Sequence, residues 1–300
     1  MFLQQIVNGL TLGGVYALIA LGYTMVYGVL ELINFAHGEV YMLGAYLGII
    51  FFTLFTTLGL TSLSLLLSIL LSLILSILIC SAYGFTIERV AYKPLRNAPR
   101  LSPLISAIAV SIFLQNFVML TQGATDKVFP PVIGTTGFEF IGVRITYLQL
   151  TIMLISAILM LSLHVFITTT RFGKAMRAVA QDKVMASLVG IDIDTVISMT
   201  FIIGSGLAAV AGIMVAMYYG LVNYFIGYIA GIKAFTAAVV GGIGSIPGAM
   251  FGGLLLGLLE SLGASYLSSE YKDAYAFIVL IVILLIKPSG IFGIKREEKV

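Results

Sequence analysis

Nine long apolar runs, separated by short polar breaks, constrain the fold of this chain more than any other feature. A helix of about 20 apolar residues spans a bilayer and satisfies its own backbone hydrogen bonds. The runs cover residues 6–28, 40–58, 62–87, 103–121, 147–167, 195–218, 232–244, 248–267 and 275–288. The pattern predicts an all-α polytopic membrane protein with about eight to nine transmembrane segments. One of them, the glycine-rich seventh run, is expected to be discontinuous or re-entrant.

Composition excludes several other classes. Hydrophobic residues make up 60% of the chain and charged residues 10%, whereas soluble domains carry roughly 25% charged residues. The only cysteine, Cys80, lies within an apolar run, so it is expected to be a small core residue and no intrachain disulfide is possible. A net charge of +3, spread over loops, gives no case for nucleic-acid binding. The first run lacks a basic leader, which predicts a retained span and one transmembrane domain over residues 1–300.

Lysine and arginine predict the orientation of the spans, because cytoplasmic loops are enriched in them. Three groups should be cytoplasmic: Arg89, Lys93, Arg96 and Arg100; Arg171, Lys174, Arg177 and Lys183; and Lys287, Lys295, Arg296 and Lys299. The loop 123–145 and the N-terminus then lie outside. A cytoplasmic C-terminus requires the short seventh run to cross. The count is nine spans if it crosses and eight if it is re-entrant, and both remain open.

The segment 171–194 is the one long charged stretch with a regular pattern. Its apolar residues, Phe172, Ala175, Met176 and Val179, fall on one helical face, and Lys174, Arg177 and Gln181 fall on the opposite one. The phase breaks after Gln181. This predicts a turn near Asp182, which would cap a second short helix that ends at Gly190. A solvated connecting loop with incidental helicity fits the pattern equally well.

Polar residues interrupt the apolar region between residues 31 and 44. Asn34, His37 and Glu39 stand where two spans would otherwise merge. An unpaired charge at the bilayer centre costs about 2.5–3.5 kcal/mol, so these side chains should lie at the cytoplasmic end or face protein or water. A capped turn between helices and a gate or ligand contact both satisfy this. No metal site is indicated, because further ligands are missing.

Glycines loosen the stretch from 237 to 253. Gly241, Gly242, Gly244 and Gly248, together with Pro247, fit a discontinuous helix that lines a transport path. They fit close helix packing through small residues equally well. The sequence GGIGS is no phosphate loop, since no lysine follows it and G-x-x-x-x-G-K-[ST] occurs nowhere in the chain. The chain is therefore not an ATPase by itself.

Five stretches resemble a known family. They are NGLTLGGVYALIALGYTMVYG (8–28), INFAHGEVYMLGAY (33–46), SAYGFTIERVAYKPLR (81–96), the segment 171–194 and GIKAFTAAVVGGIGSIPGAMFGG (231–253). Together they are similar to the LivH-type integral-membrane permease subunits of the branched-chain amino acid ABC importers. The resemblance runs nearly end to end. It implies a bacterial inner-membrane permease with a cytoplasmic C-terminus and no catalytic residues, which translocates leucine, isoleucine and valine.

The resemblance also implies partners: a second, homologous permease, two cytoplasmic ATPase subunits and a periplasmic or lipid-anchored binding protein that delivers substrate. ATP and Mg²⁺ would be bound by the ATPases, and this chain would hold no cofactor. In such importers a cytoplasmic loop of the permease forms coupling helices that sit in a cleft of the ATPase. The corresponding residues are Arg171, Gly173, Lys174, Arg177, Ala178, Asp182, Ala186 and Gly190. The loop departs from the EAA signature of many ABC importers, because the glutamate is absent.

Candidate residues for the translocation path are Asn34, His37, Glu39, Gly241, Gly242, Gly244 and Pro247. No buried arginine is evident that would clamp a carboxylate, so substrate affinity is expected to reside mainly in the external binding protein. Related permeases for urea, short amides or other amino acids share these stretches and remain alternatives. An ion-coupled carrier would have ionisable residues within its spans, and only His164 and Glu260 are noted there. The sequence also lacks the motifs that a channel or an enzyme requires.

Overall fold

A computed structural model of the protein describes residues 2–96, 98–99, 101–130, 136–140 and 142–293. Across these ranges the chain is predominantly helical. The first half contains α1 (Phe2–Leu30), α2 (His37–Thr57), α3 (Leu60–Leu63), α4 (Leu65–Ile87), α5 (Leu101–Gln122) and α6 (Tyr147–Thr169). The second half contains α7 (Arg171–Gln181), α8 (Lys183–Leu188), α9 (Ile193–Tyr219), α10 (Ile226–Gly241), α11 (Ile246–Tyr266) and α12 (Lys272–Ile286).

Short irregular elements and strands complete the chain. After α4 the helix continues through a π-helical turn (Glu88–Tyr92) and a 3-10 turn (Lys93–Leu95). The strands are β1 (Lys127–Val128), β2 (Gly137–Phe140), β3 (Val143–Thr146) and β4 (Leu221–Val222). β1 pairs antiparallel with β4, and β2 pairs antiparallel with β3. The β1–β4 sheet therefore connects the loops that follow α5 and α9, whereas β2 and β3 form a hairpin within the loop between α5 and α6.

The prediction of an all-α polytopic membrane protein is confirmed. Among the described helices, seven are long and apolar enough to cross a membrane: α1, α2, α4 with its extension to Leu95, α5, α6, α9 and α11. α10 is a shorter apolar helix of 16 residues, roughly 24 Å at 1.5 Å per residue. It is shorter than a hydrocarbon core of about 30 Å. Whether the seventh apolar run crosses the bilayer stays a prediction.

The core is built around α1 and α9, which are buried along most of their length. Glycines bring α1 against α11: a Cβ added at Gly9 would lie 2.8 Å from the Cα of Leu258, closer than real atoms approach. Small residues allow this contact, which supplies packing energy where lipid offers no hydrophobic drive between helices. α4 buries Ser68, Ser72, Ser76, Cys80 and Gly84 at four-residue spacing. Cys80 is thus a small core residue, as expected.

The loops gather at two opposite ends of the bundle. At one end Lys93 Nζ lies 2.5 Å from Asp194 Oδ2, which joins the segment after α4 to the start of α9. At the other end the side chain of Gln4 donates to the Arg144 carbonyl and accepts from the Arg144 amide, both at 3.0 Å. The first two basic groups thus lie at one end, and Gln4 and Arg144 lie together at the other. Arg100, Lys295, Arg296 and Lys299 lie outside the described residues.

Candidate functional site

The segment 171–194 forms two helices with a well-defined hydrogen bond at each boundary. Thr170 Oγ1 caps α7 by accepting from the Gly173 amide at 3.0 Å, and Asp182 Oδ1 caps α8 by accepting from the Met185 amide at 3.0 Å. Gly190 has a φ of 84°. Its amide donates to Ser187 O and the next amide donates to Ala186 O, each at 3.0 Å, which closes the end of α8 in a Schellman motif. The predicted turn, cap and left-handed glycine are confirmed.

The two faces of α7 are distributed as the periodicity predicts. The inward set is Gly173, Met176, Val179 and, on α8, Ala186, all of them buried. The exposed set is Arg171, Lys174, Arg177, Asp182 and Gly190, while Ala178 is half-buried. Arg177 nevertheless bonds the carbonyl of Ile167 at the end of α6. The helix pair is therefore packed on the bundle by one face and presents charge on the other.

α8 and Val189, the residue that follows it, carry exposed apolar side chains at the polar end of the bundle. Val184, Met185, Leu188 and Val189 are each between 60% and 76% exposed. We call this set the α8 apolar surface. It lies among charged residues and beside loops, where water rather than lipid is the expected neighbour. Contiguous apolar groups in such a setting mark a surface that binds another protein.

Lys183 connects the α7–α8 pair to α1, the most buried of the membrane-length helices. Its Nζ donates to the carbonyl of Leu30, the last residue of α1, at 3.3 Å. Burial lowers the pKa of Lys183, and the neighbouring Glu31 opposes this shift. A cation at a helix C-terminus is favourable, because the free carbonyls there carry partial negative charge. A displacement of α8 would therefore act directly on α1.

A second connection runs through the start of α9. Asp192 caps α9 by accepting from the Asp194 amide at 3.0 Å, and its hydrogen bonds with Thr195 lower the pKa of Asp192. Arg96 bridges Asp194 and the fully buried Glu88. Ser198 also donates to Glu88, at 2.8 Å. The α7–α8 pair is thus linked at both ends to helices that form the core.

Asn34, His37 and Glu39 are all buried in protein, as the cost of charge in lipid predicts. Asn34 Oδ1 accepts from the Ala36 amide and from the Tyr92 hydroxyl, each at 3.1 Å. The His37 ring packs edge-on against Tyr23, 5.0 Å between centroids. These contacts form a hydrogen-bonded turn between α1 and α2, although no side chain caps α2 itself.

Glu39 differs from its two neighbours in this turn. Ser111 of α5 donates to Glu39 Oε1 at 3.2 Å. The other carboxylate oxygen, Oε2, is buried and has no hydrogen-bond partner among the described residues. A buried acceptor without a partner is costly. Glu39 is therefore the member of the group that has capacity for a further donor.

The glycine-rich stretch forms the turn of an α10–α11 hairpin. Gly242 and Gly244 have φ values of 109° and 90°, which side-chain-bearing residues rarely adopt. Gly241 contacts Gly248 backbone to backbone. The helix is broken here and its glycines pack closely, whereas the lining of a transport path stays a prediction. Gly241 and Gly242 are buried, whereas Gly244 and Pro247 are exposed. The segment after α12 covers the two buried glycines, and the Phe292 amide donates to Gly241 O at 2.8 Å.

Sequence reasoning missed one buried polar cluster. The expectation that only His164 and Glu260 are ionisable residues of note within the spans is wrong, because Lys233 of α10 is buried and ion-paired. Its Nζ lies 2.7 Å from Glu260 Oε1 and 2.6 Å from Asp273 Oδ1, and Tyr16 donates to Glu260 Oε2 at 2.9 Å. A lysine inside an apolar run is itself a signal of function or pairing. Its partners, on three other helices, could not be read from the sequence.

A helical bundle with seven membrane-length helices, buried polar groups between them and a capped helix pair at one end defines a polytopic membrane protein of the permease class. A family model described as "Branched-chain amino acid transport system / permease component" matches residues 5–284. The chain belongs to this family.

Similar proteins extend over the whole length. The chain is 52% identical over 305 aligned residues to the high-affinity branched-chain amino acid transport system permease protein LivH of Salmonella typhimurium, covering 100% of this chain and 98% of that one. The values are the same for BraD of Pseudomonas aeruginosa. A probable LivH of Methanocaldococcus jannaschii is 28% identical over 94% of this chain and 89% of its own. The alignment with the solved structure of PsaBC from Streptococcus pneumoniae in complex with Fab covers 96% of this chain and 93% of that one at 14% identity, with a TM-score of 0.47.

Proposed function

We propose that this chain is the membrane-spanning permease subunit of an ATP-driven ABC importer that translocates leucine, isoleucine and valine. The observation that carries the proposal is the 52% identity, along the full length, to permeases named for branched-chain amino acid transport. An external binding protein delivers the substrate, and separate cytoplasmic ATPase subunits bind ATP and Mg²⁺ and supply the energy. This chain acts as a conduit and as a receiver of the ATPase movement.

The proposal extends to the assembly and its location. The chain forms one permease domain, residues 1–300, with a coupling loop at 171–194 and an external loop at 123–145. It pairs with a second, homologous permease and with two ATPase subunits in the bacterial inner membrane, and its C-terminus is cytoplasmic. Support comes from the separation of the loops into two ends of the bundle, with the basic loops at one of them.

Coupling to the ATPase is assigned to the α7–α8 pair. The α8 apolar surface docks into the partner, and Arg171, Lys174 and Arg177 surround it with charge. Gly173 and Ala186 allow the pair to sit closely on the bundle, since both are buried. Asp182 sets the turn between α7 and α8, where its amide donates to the Ala178 carbonyl at 3.0 Å, and Gly190 ends α8 before α9 begins. The bonds from Lys183 and Arg96 then transmit movement to α1 and α9.

Two groups are assigned to the translocation path. Asn34, His37 and Glu39 supply polar side chains, and the free acceptor of Glu39 supports this role. Gly241, Gly242, Gly244 and Pro247 supply a backbone turn whose exposed members leave peptide groups accessible. Non-helical backbone at membrane depth is tolerated where it meets protein or water.

Reconstitution tests the proposed function. The permease pair, ATPases and binding protein are placed in proteoliposomes, and uptake of radiolabelled leucine is measured with and without ATP. We expect uptake that requires ATP and the ATPases, with competition by isoleucine and valine but not by urea. Competition by urea would place the chain among the related urea and amide permeases. Leucine uptake driven by an ion gradient without the ATPases would identify a secondary carrier.

A substitution on the α8 apolar surface tests the coupling assignment. Leu188→Glu places a charge where an apolar contact with the ATPase is proposed, so we expect the ATPases to no longer co-purify and uptake to be lost. Val128→Glu is the matched control, because Val128 is a similarly exposed apolar residue of β1 at the opposite end. Normal ATPase binding by Leu188→Glu would show that another element docks the partner.

A further inference from the structure

A cavity of 320 Å³ opens between α1, the end of α9 and α11, on the end of the bundle opposite the α7–α8 pair. Its walls include Gln5, Asn8, Glu260, Ser261 and Lys272. We call it the Glu260 cavity. Small-molecule sites have volumes of about 300–1,000 Å³ and combine apolar walls with a few convergent polar groups. The Glu260 cavity has this size and this composition.

Glu260 has unused hydrogen-bond capacity beside the cavity. Lys233 is paired with two carboxylates, those of Glu260 and Asp273, at 2.7 and 2.6 Å. Each carboxylate oxygen can accept two hydrogen bonds, and Glu260 uses one at each oxygen, from Lys233 and Tyr16. Glu260 can therefore accept a further donor from the cavity side, where low polarity strengthens the attraction to a cation.

The opposite requirement, donors for an anion, is met by other wall residues. Asn8 and Ser261 both donate to Gln5 Oε1, at 3.3 and 3.0 Å. These bonds fix the amide, and Gln5 Nε2 donates to no residue that the structure describes. Lys272 adds a positive charge to the wall. Leu12 and Tyr218, which also line the cavity, offer apolar surface.

We propose that the Glu260 cavity binds the zwitterionic head group of an α-amino acid. The ammonium group is held by Glu260, the carboxylate by Gln5 and Lys272, and the apolar side chain by Leu12 and Tyr218. This deepens the proposed function and rests on it, because it names where the permease first holds the delivered substrate. The backbone contact of Gly9 with Leu258 closes α1 against α11. The cavity is therefore an external holding site, distinct from the turn that contains Glu39.

Protection from thiol labelling tests the proposal in the complete reconstituted transporter. Cys80→Ser removes the only cysteine of the chain, and Ser265→Cys introduces one on the exposed wall of the cavity. Labelling of this chain by a small water-soluble thiosulfonate is followed by mass spectrometry. Leucine at ten times its dissociation constant should slow labelling about tenfold, as mass action requires.

Two leucine analogues separate a zwitterion site from a simpler one. 4-Methylpentanoate lacks the ammonium group and 3-methylbutylamine lacks the carboxylate, so neither should protect at the leucine concentration used. Protection by either analogue equal to that by leucine would overturn the proposal, and so would the absence of protection by leucine. Adding Ala264→Leu, which fills the cavity, should abolish protection, whereas Ala109→Leu on the exposed face of α5 should leave it unchanged.

The outcome is separable from that of the proposed function. ATP-dependent leucine uptake without leucine protection would reject the cavity and keep the importer. ATP-dependent uptake of urea, with leucine unable to compete, would reject the importer of branched-chain amino acids whatever the labelling result.

Discussion

The α7–α8 pair and the Lys233 cluster, which comprises Lys233, Glu260, Asp273 and Tyr16, are both polar constructions on an apolar bundle, but they are assembled in opposite ways. The caps of the pair join residues three positions apart, as from Asp182 to Met185. In the cluster, Lys233 and Glu260 are 27 positions apart, and Tyr16 and Glu260 are 244 apart. The pair can form before the rest of the protein is folded, whereas the cluster exists only once four helices have met.

The sharpest test of this difference is removal of one charge from the cluster. Glu260→Ala leaves Lys233 paired with Asp273, whose side chain is 46% exposed. Leaving a buried charge without any partner costs about 3–5 kcal/mol, so we expect the free energy of unfolding, measured by denaturant titration in detergent, to fall by less than that. A second substitution, Lys233→Met, should restore most of the lost stability, because it removes the buried charge that Glu260→Ala deprives of a partner. Equal losses in the single and double variants would show that the charges are not coupled.

Substitutions in the α7–α8 pair should instead have local effects. Asp182→Ala removes a cap worth about 1 kcal/mol, and Gly190→Val forces a side chain into a left-handed conformation that costs about 1–2 kcal/mol. The double variant should stay in the membrane yet hydrolyse ATP without uptake. Ser64→Ala with Gly59→Val is the matched control, since Ser64 caps α4 and Gly59 has a φ of 76°. Normal uptake in the Asp182, Gly190 variant would count strongly against the coupling assignment.

Lys183 tests whether the pair depends on any distant contact at all. Lys183→Met removes its bond to Leu30 O, and we expect a loss of about 1 kcal/mol. Hydrogen exchange of the α8 amides should then accelerate about fivefold. Lys174→Met, on the exposed face of α7, should change exchange little. Equal exchange in both variants would mean that the pair is held by its own caps and apolar face alone.

The smallest effect is expected at the half-exposed ion pair between Lys93 and Asp194. Pairs of this kind contribute about 0–1 kcal/mol. Lys93→Ala should therefore leave the melting temperature in detergent almost unchanged. Arg96→Ala should lower it clearly, because Arg96 also pairs with the fully buried Glu88. Similar changes in melting temperature in the two variants would show that the stabilisation depends on total charge and not on the burial of Glu88.

These contrasts explain how much of the molecule the sequence could predict. The spans, the turn at Asp182 and the left-handed Gly190 follow from periodicity and capping, which act over a few residues. The pairing of Lys233 could not be predicted, because it depends on which faces of α1, α10, α11 and α12 meet. Glu88 illustrates the same limit. It stands at the start of a polar loop in the sequence, yet it is fully buried because Arg96 and Ser198 reach it from later positions.

The close packing of α1 against α11 has a consequence for biogenesis. α1 leaves the ribosome before α11, and the helix that covers its glycines is completed only when Tyr266 has been synthesised. At about 5–20 residues per second, this takes on the order of ten to fifty seconds. During that time the glycine face of α1 is bounded by lipid or by the insertion machinery. α1 therefore acquires its α11 neighbour only late in synthesis, and an insertion factor that shields α1 would find this face open.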